Sequence, residues 1–198
     1  MNKTVIVDYE AGNLRSVANM LTFLNVPFVI SDKKEEILNA ERIIFPGQGH
    51  FAQAMNNLEK KGLIPVIKEC CQKQIPFLGI CVGLQILFEE SEEAPGVKGL
   101  GLFKGSVKKF RNGKIPQVGW NKVEPVKGEI CIPADYFYFV NSYYVVPENQ
   151  SVISSFSDYN GEFCASVKEG AVTAVQFHPE KSSSAGLLFF KNWFASEN

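Results

Sequence analysis

Three residue types that together perform nucleophilic catalysis occur in two short segments of the chain. Cys81 lies at the centre of Gly79–Gly83, and His178 and Glu180 stand on either side of a proline. A cysteine can attack a carbonyl carbon, a histidine can transfer the proton, and a carboxylate can orient the imidazole. Because proline disfavours a helical conformation in the residue before it, this segment is predicted to be extended. His178 and Glu180 should then project to the same side, together with Gln176.

The residues around Cys81 predict a sharp turn between a strand and a helix. Pro76–Ile80 is a short apolar run, typical of a buried parallel strand, and Val82–Phe88 has an apolar stripe broad enough for a buried helix. The glycines two residues before and after the cysteine allow strand and helix to approach closely. A helix N-terminus beside the sulfur favours its negatively charged form. The pattern therefore predicts a reactive thiolate.

Composition excludes several other classes of protein. With 198 residues, 45% of them hydrophobic, and a formal charge of −1, the chain suits one domain with a sizeable core. Neither disorder nor nucleic-acid binding is expected. Five cysteines without a disulfide-like pattern fit the cytoplasm, and the first apolar run is too short for a signal peptide or a membrane span. Only two histidines occur, without zinc spacing, so we expect neither a metal nor another cofactor.

Strands and helices alternate through the first half of the chain, which predicts a mostly parallel central sheet with helices on both faces. Predicted strands and helices in this half are Thr4–Tyr9, Leu14–Leu24, Pro27–Ser31, Glu35–Ala40, Arg42–Phe45, Phe51–Lys60 and Ile64–Gln74. The second half is β-rich, with predicted strands Leu102–Phe110, Tyr136–Val146, Ser151–Ser157, Phe163–Val167 and Ala171–Phe177 before a closing helix, Ser184–Ala195. No repeat or linker appears, so residues 1–198 are predicted to form a single α/β domain.

Three segments that could take part in catalysis follow the ends of predicted strands. Cys81, His178 and the loop Pro46–Gly49 each come directly after a strand. Because ligands of open α/β sheets bind beyond the carboxyl ends of the strands, we expect these segments to converge. Backbone N–H groups of the glycine-rich loop, together with that of Val82, could then stabilise an oxyanion.

Other candidate residues have simpler interpretations. His50 follows the glycine-rich loop and is predicted to be a surface or helix-start residue rather than a second base. The alternation in Tyr136–Phe139 favours a strand over an aromatic ligand platform. Core packing is the preferred interpretation for the remaining cysteines and the aromatic tail, namely Cys70, Cys71, Cys131, Cys164, Phe189, Phe190, Trp193 and Phe194.

The two reactive segments resemble those of the class I glutamine amidotransferases, in Gly79–Gln85 and Gln176–Glu180. Within that class, several flanking segments resemble the glutaminase subunit of imidazole glycerol phosphate synthase. These segments are Asp8-Tyr9, Gly12–Ser16, Pro46–Gly49, Pro116 with Gly119–Asn121, Ser142-Tyr143 and Phe177–Ser182. The resemblance is spread over nearly the whole chain.

The resemblance implies that glutamine is hydrolysed to glutamate and ammonia through a cysteine thioester. Cys81 would attack the side-chain amide carbon, His178 would give a proton to the departing ammonia, and Glu180 would orient the imidazole. The oxyanion hole would be formed at Val82 and Gln48. Residues expected around the glutamine are Gly47, Gly49, Gln85, Ser142 and Tyr143.

The resemblance also implies a partner. Ammonia would pass through a channel to a (β/α)₈ synthase subunit, forming a heterodimer that makes imidazole glycerol phosphate and an aminoimidazole carboxamide ribotide in histidine biosynthesis. Residues expected toward this partner are Asn13, Arg15, Trp120, Asn121 and Lys181. Because Gly47 and Gly49 flank Gln48, a peptide flip there is inexpensive, and we expect the oxyanion hole to form fully only in the complex.

The sequence departs from the subfamily pattern at three positions. Gln117 and Asn141 stand where histidine is usual, and Gln48 replaces an apolar residue. These changes leave the identity of the synthase open: a paralogous glutaminase could supply a different synthase, for example one that amidinates an amino sugar. Two further alternatives are a free-standing γ-glutamyl hydrolase and a non-catalytic binding module on the same fold.

Overall fold

The structure, a computed structural model, describes residues 3–10 and 12–196. Its strands are β1 Thr4–Val7, β2 Phe28–Ser31, β3 Arg42–Gly47, β4 Phe77–Cys81, β5 Glu90–Ser91, β6 Gly105–Lys109, β7 Gln117–Pro125, β8 Asp135–Asn141, β9 Tyr143–Pro147, β10 Ile153–Asp158, β11 Glu162–Glu169 and β12 Val172–Val175. Its α-helices are α1 Leu14–Phe23, α2 Lys34–Leu38, α3 Phe51–Lys60, α4 Ile64–Gln72, α5 Val82–Gln85 and α6 Ser183–Ser196, and Gln150–Val152 and Pro179–Lys181 are 3-10 turns.

The strands of the described residues join one mixed sheet. β2, β1, β3, β4 and β12 lie side by side in that order and run parallel. β11, β10, β7 and β8 continue the sheet in antiparallel pairing, while β9, β6 and β5 branch from β11. The predicted fold class, a mostly parallel sheet followed by a β-rich second half, is confirmed.

The order of the parallel strands places helices on both faces of the sheet. From β1 the chain moves one way to β2, and from β2 it moves the opposite way to β3 and on to β4. With right-handed connections, α1 covers one face, whereas α2, α3 and α4 cover the other. Strands covered on both faces are apolar throughout, and Val5, Ile6 and Val7 of β1 are accordingly all buried.

The C-terminal helix α6 closes the core with aromatic side chains. Phe189, Phe190 and Trp193 are fully buried, which confirms the prediction for the tail. Phe189 packs edge-on against Phe177, the residue before the candidate base, at 5.8 Å between ring centroids. In the part of the chain that the structure describes, no helix has both the length and the apolar composition to cross a membrane.

The helix predicted over Val82–Phe88 is wrong beyond Gln85. The carbonyls of Ile86 and Leu87 accept hydrogen bonds from Leu100, Leu102 and Phe103, at 2.7–3.1 Å, instead of continuing the helix. These long-range bonds outweigh the local helical pattern. α5 is therefore a single turn, and the electrostatic support that it offers to Cys81 is smaller than a long helix would give.

Two strand predictions are also corrected. The predicted strand Tyr136–Val146 is two strands, because β8 pairs with β7 whereas β9 pairs with β6 and β11, and the chain changes partners at Ser142. β7 was not predicted, since Gln117–Pro125 combines a glycine with polar residues and lacks a clear apolar alternation. β3 continues through Pro46 to Gly47, so the glycine-rich loop begins later than predicted.

Candidate active site

Cys81 lies at the sharp turn predicted for it. It is the last residue of β4 and precedes α5, with φ 55° and ψ −108°, a conformation that L-residues rarely adopt. The turn is tight because Gly83 presses against the backbone of β3, where a Cβ atom would overlap the carbonyl oxygen of Phe45. The side chain is 5% exposed. Strained cysteines of this kind, held at the end of a buried strand, present their sulfur to a pocket.

His178 and Glu180 form the predicted contact, although the backbone differs from the prediction. Pro179–Lys181 is a 3-10 turn rather than an extended segment. His178 Nδ1 lies 2.8 Å from Glu180 Oε1, and both side chains are almost completely buried. The turn is tied to β8, since the His178 N–H donates to the carbonyl of Tyr138 at 2.9 Å. Ser182 Oγ donates to the carbonyl of His178 at 2.7 Å.

The ring of His178 is held between the Cys81 sulfur and the Glu180 carboxylate. Burial by itself disfavours the imidazolium, but the nearby Cys81 sulfur, the hydrogen bonds to Cys81 and Glu180 and the Glu180 carboxylate together raise the pKa of His178 to about 10. The imidazolium is therefore present at neutral pH and is lost as the pH rises through about 10. The structure thus brings the three predicted catalytic side chains together, with His178 between Cys81 and Glu180, which is the arrangement that a thiolate–imidazolium pair requires.

Asn13, which the sequence places toward a partner, contacts the catalytic carboxylate in the structure. Its Nδ2 donates a hydrogen bond to Glu180 Oε1, the same oxygen that faces His178. Asn13 has φ 78° and precedes α1, and its side chain makes no helix-capping hydrogen bond. The side chain therefore holds Glu180 rather than stabilising the helix.

We expect Asn13→Gly to lower kcat about tenfold with little change in KM, because a hydrogen bond to a charged group is worth about 1.5–3 kcal/mol and Glu180 would lose its fixed position. Glycine keeps the positive φ, so the change removes only the amide. Asn25→Gly is the matched control, since Asn25 also has a positive φ, 55°, but is exposed and far from Glu180. Equal kinetics for the two variants would show that Asn13 does not position the carboxylate.

A pocket of about 360 Å³ opens above the cysteine and the histidine. The predicted oxyanion-hole residues Gln48 and Val82 line it, as do four residues predicted around the glutamine, Gly49, Gln85, Ser142 and Tyr143. Pro116, Val140 and Asn141 are also in its lining. Gly47 lies beneath the pocket, opposite Cys81 in the register of β3 and β4. A side chain at Gly47 would come within 2.8 Å of Val82 Cβ, so the close approach requires glycine.

The carbonyl before the glycine-rich loop is anchored by a buried tyrosine. Tyr9 Oη donates to the carbonyl of Pro46 at 2.7 Å, and its ring stacks on Phe45 with 4.5 Å between centroids. Burial and, secondarily, the neighbouring Cys81 raise the pKa of Tyr9, so that the hydroxyl stays protonated and remains a donor. The start of the loop is thereby held in place.

Sequence reasoning missed two polar residues of the site. Glu93 lines the pocket, and its Oε2 accepts a hydrogen bond from the Phe51 N–H at 2.7 Å. Glu93 belongs to a run of acidic residues that begins at Glu89, a pattern more typical of a solvated face than of a pocket. For Gln176 the sequence predicted only that it shares a face with His178 and Glu180. In the structure, its Nε2 lies 3.6 Å from Cys81 Sγ, beside the predicted nucleophile.

The residues predicted toward a partner lie at the start of α1, on β7 and in the 3-10 turn after β12. Trp120 is 49% exposed on the outer face of β7, and Arg15 is exposed on α1. Asn121, the next residue on β7, turns its amide to the Asp158 carbonyl at 2.8 Å. Lys181 is half-buried in the 3-10 turn beside the triad.

The residues given simpler interpretations behave as predicted. His50 is exposed and precedes α3, where its Nδ1 accepts from the Ala52 N–H at 3.2 Å. The four other cysteines are buried and free, and burial raises the pKa of each thiol, to about 11 for Cys70. Within the described residues, no group of histidine, cysteine and acidic side chains could hold a metal ion.

Comparison with known families assigns the chain to a class. The glutamine amidotransferase class-I family matches residues 5–196, nearly the whole chain. The chain therefore belongs to the class-I glutamine amidotransferase family, which confirms the resemblance found in the sequence.

Curated relatives of the chain within this family are subunits of imidazole glycerol phosphate synthase. The chain is 46% identical to the imidazole glycerol phosphate synthase subunit HisH of Moorella thermoacetica, over 98% of this chain and 94% of that protein. It is 44% identical to the HisH subunit of Methanocaldococcus jannaschii, over 95% of this chain and 96% of that protein.

Solved structures agree on the fold. A crystal structure of a glutamine amidotransferase superposes with a TM-score of 0.79 at 19% identity, covering 98% of both chains. A structure of PurLQS from Thermotoga maritima superposes with a TM-score of 0.76 at 17% identity, over 100% of this chain and 99% of the other.

Proposed function

We propose that this chain is the glutaminase subunit of an imidazole glycerol phosphate synthase and supplies ammonia for histidine biosynthesis. The observation that carries the proposal is the arrangement of Cys81, His178 and Glu180 at the floor of a pocket of about 360 Å³. The HisH relatives favour this function over a paralogous glutaminase for another synthase.

The first half of the reaction uses the thiolate–imidazolium pair. The Cys81 thiolate attacks the side-chain amide carbon of glutamine, and the oxygen becomes negatively charged in the tetrahedral intermediate. The N–H groups of Val82 and Gln48 donate to that oxygen. The His178 imidazolium then gives its proton to the amide nitrogen, which leaves as ammonia and produces the thioester.

The second half reverses the role of the histidine. Neutral His178 takes a proton from a water molecule, which attacks the thioester carbon and releases glutamate. Glu180 accepts a hydrogen bond from Nδ1 in both halves, so that Nε2 always faces the reacting atoms. A triad of this kind completes both proton transfers without a metal or an organic cofactor.

The pocket wall supplies groups for the amino-acid end of glutamine. Both N–H groups of the Gln85 amide are used, toward the Tyr143 carbonyl at 3.2 Å and Gln176 Oε1 at 3.0 Å. The oxygen of Gln85 and the carboxylate of Glu93 are therefore suited to the α-ammonium group. Ser142, Tyr143 and the loop from Gly47 to Gly49 are suited to the remaining contacts.

The partner surface that fits this function is an exposed apolar patch on β7 and β8. Its members are the cross-strand neighbours Val118 with Val140 and Trp120 with Tyr138, and Tyr136 lies beside them. Val140 also lines the pocket, so the patch continues into the pocket mouth. A (β/α)₈ synthase subunit docked here in a heterodimer would receive ammonia at the point where it leaves the triad.

Glutaminase activity with and without the synthase subunit tests the proposal. Because the loss of one oxyanion-hole donor typically costs on the order of 10²–10³ in turnover, we expect stimulation of that size if docking completes the hole at Gln48. A full rate without the partner would instead indicate a free-standing γ-glutamyl hydrolase. Failure of iodoacetamide to modify Cys81 at neutral pH would indicate a non-catalytic module.

Trp120→Ala tests the docking surface. Central aromatic residues of interfaces often contribute about 2 kcal/mol or more, so the affinity for the synthase subunit should fall roughly 30-fold. Ile130→Ala is the control, because Ile130 is also apolar and is even more exposed than Trp120, but lies in the connection at the far end of the β7–β8 pair. Unchanged affinity of Trp120→Ala, measured by titration calorimetry, would place the interface elsewhere.

The proposal extends to the whole chain and its location. Residues 1–198 are taken as a single glutamine amidotransferase type 1 domain that works in the cytoplasm.

The departures Gln117 and Asn141 face each other across β7 and β8, and both are buried. Asn141 Nδ2 donates to the Tyr143 carbonyl at 2.9 Å, so this substitution supports the pocket wall rather than the surface patch.

A further inference from the structure

A buried amide lies against the nucleophile. Gln176 follows β12, is completely inaccessible to solvent, and places its Nε2 at 3.6 Å from Cys81 Sγ. This distance is within hydrogen-bonding range for sulfur. Gln176 does not line the substrate pocket. Its contact with the sulfur is therefore independent of any contact with glutamine.

The direction of this amide is set by a chain of hydrogen bonds. The Tyr143 carbonyl can only accept, so the group of Gln85 that faces it at 3.2 Å must be the NH₂ group. The same NH₂ group donates to Gln176 at 3.0 Å, so the atom of Gln176 that receives it must be the oxygen. Consequently the NH₂ group of Gln176, and not its oxygen, faces the sulfur.

We propose that Gln176 is a positioning residue for the nucleophile, donating a hydrogen bond that holds and stabilises the Cys81 thiolate, with Gln85 orienting it. This role rests on the proposed function, because it concerns the same thiol. A donor to an anionic acceptor makes a stronger hydrogen bond than one to a neutral thiol. Gln176 therefore favours the thiolate before substrate binds.

Other features of the site make such a donor necessary. α5 is one turn long, so its N-terminus gives limited support to the negative charge. The titratable groups that act on the sulfur are His178, which attracts it, and the hydroxyl of Tyr9, which is electrically neutral. Glu180 lies behind His178, and Glu93 lines the same pocket. Gln176 is a neutral donor to the same sulfur, and its amide does not have to gain or lose a proton to make this hydrogen bond.

Alkylation of Cys81 by iodoacetamide as a function of pH tests the proposal. Gln176→Met keeps the size of the side chain but removes the donor, and should shift the alkylation profile about one unit toward higher pH, equal to a tenfold change in the protonation equilibrium. In the complex with the synthase subunit, kcat should fall about tenfold while KM changes less than twofold. Gln176→Glu, which brings a carboxylate to the sulfur, should shift the profile further in the same direction.

Thr173→Val is the matched control. Thr173 lies on β12, is buried, and its hydroxyl has no hydrogen-bond partner, so its replacement should leave both the profile and kcat unchanged. Thermal unfolding identifies any variant that does not fold. If Gln176→Met does not fold, Gln176→Glu is used in its place. An unshifted profile in a folded Gln176 variant overturns the proposal. A shifted profile in a protein without glutaminase activity would refute the proposed function but leave the contact between Gln176 and the thiolate intact.

Discussion

Cys81→Ala is expected to abolish the release of ammonia from glutamine, even with the synthase subunit present. Removing the nucleophile of a catalytic triad lowers turnover on the order of 10⁶-fold, because the histidine and the oxyanion hole cannot form the covalent intermediate alone. Alanine also removes the acceptor that faces His178 and Gln176. An assay of glutamate and ammonia in the assembled complex measures the loss, and binding of glutamine should persist.

Cys164→Ala provides the control for this experiment. Cys164 is as well buried as Cys81, but it lies on β11 and its sulfur faces the Ser166 carbonyl rather than the pocket. We expect the change to lower stability by about 1 kcal/mol and to leave turnover unchanged. Residual hydrolysis by Cys81→Ala close to the rate of the unmodified chain would mean that another residue is the nucleophile.

His178→Asn is expected to have the second largest effect. It removes the acid that protonates the departing ammonia, so glutamine hydrolysis should fall about 10⁴-fold or more. It also removes the positive charge next to the sulfur. In the unmodified protein the imidazolium persists until the pH approaches about 10, so at pH 7 iodoacetamide should alkylate Cys81 of the variant more slowly than Cys81 of the unmodified protein.

The variant should respond to pH as an ordinary thiol does. Without the imidazolium, the alkylation rate should increase about tenfold per pH unit up to roughly pH 8.5. His50→Asn is the matched control, because His50 is the other histidine of the chain and is exposed at the start of α3. An alkylation rate at pH 7 that is the same in His178→Asn and in the unmodified protein would show that His178 does not form an ion pair with Cys81.

The reactive residues were predictable because their chemistry is local. Glycines on both sides of Cys81 and the spacing of His178 and Glu180 identify a nucleophile, a base and an orienting carboxylate from a few residues each. The rule that sites lie beyond the ends of parallel strands also held: β3, β4 and β12 are neighbours in the sheet. Short apolar runs that alternate with helical patterns were sufficient to predict the strands and helices of the parallel half.

Other features of the site depend on partners that lie far away in the chain. Asn13 meets Glu180, and Gln176 meets both Cys81 and Gln85, through contacts that span about half of the chain or more. Side chains of this kind carry no periodic signal, because asparagine and glutamine are equally common on solvated surfaces. Their roles follow only from where the fold brings them.

The sequence by itself determined the class of chemistry and the alternating α/β half of the fold, because both depend on neighbouring residues. Only the tertiary structure decided the length of α5, the break at Ser142 and the pairing of β7. In each case hydrogen bonds between distant segments competed with the local pattern, as when Leu100 takes the carbonyl of Ile86. Local periodicity reports which face of a segment is apolar, whereas the available backbone partners determine where the segment ends.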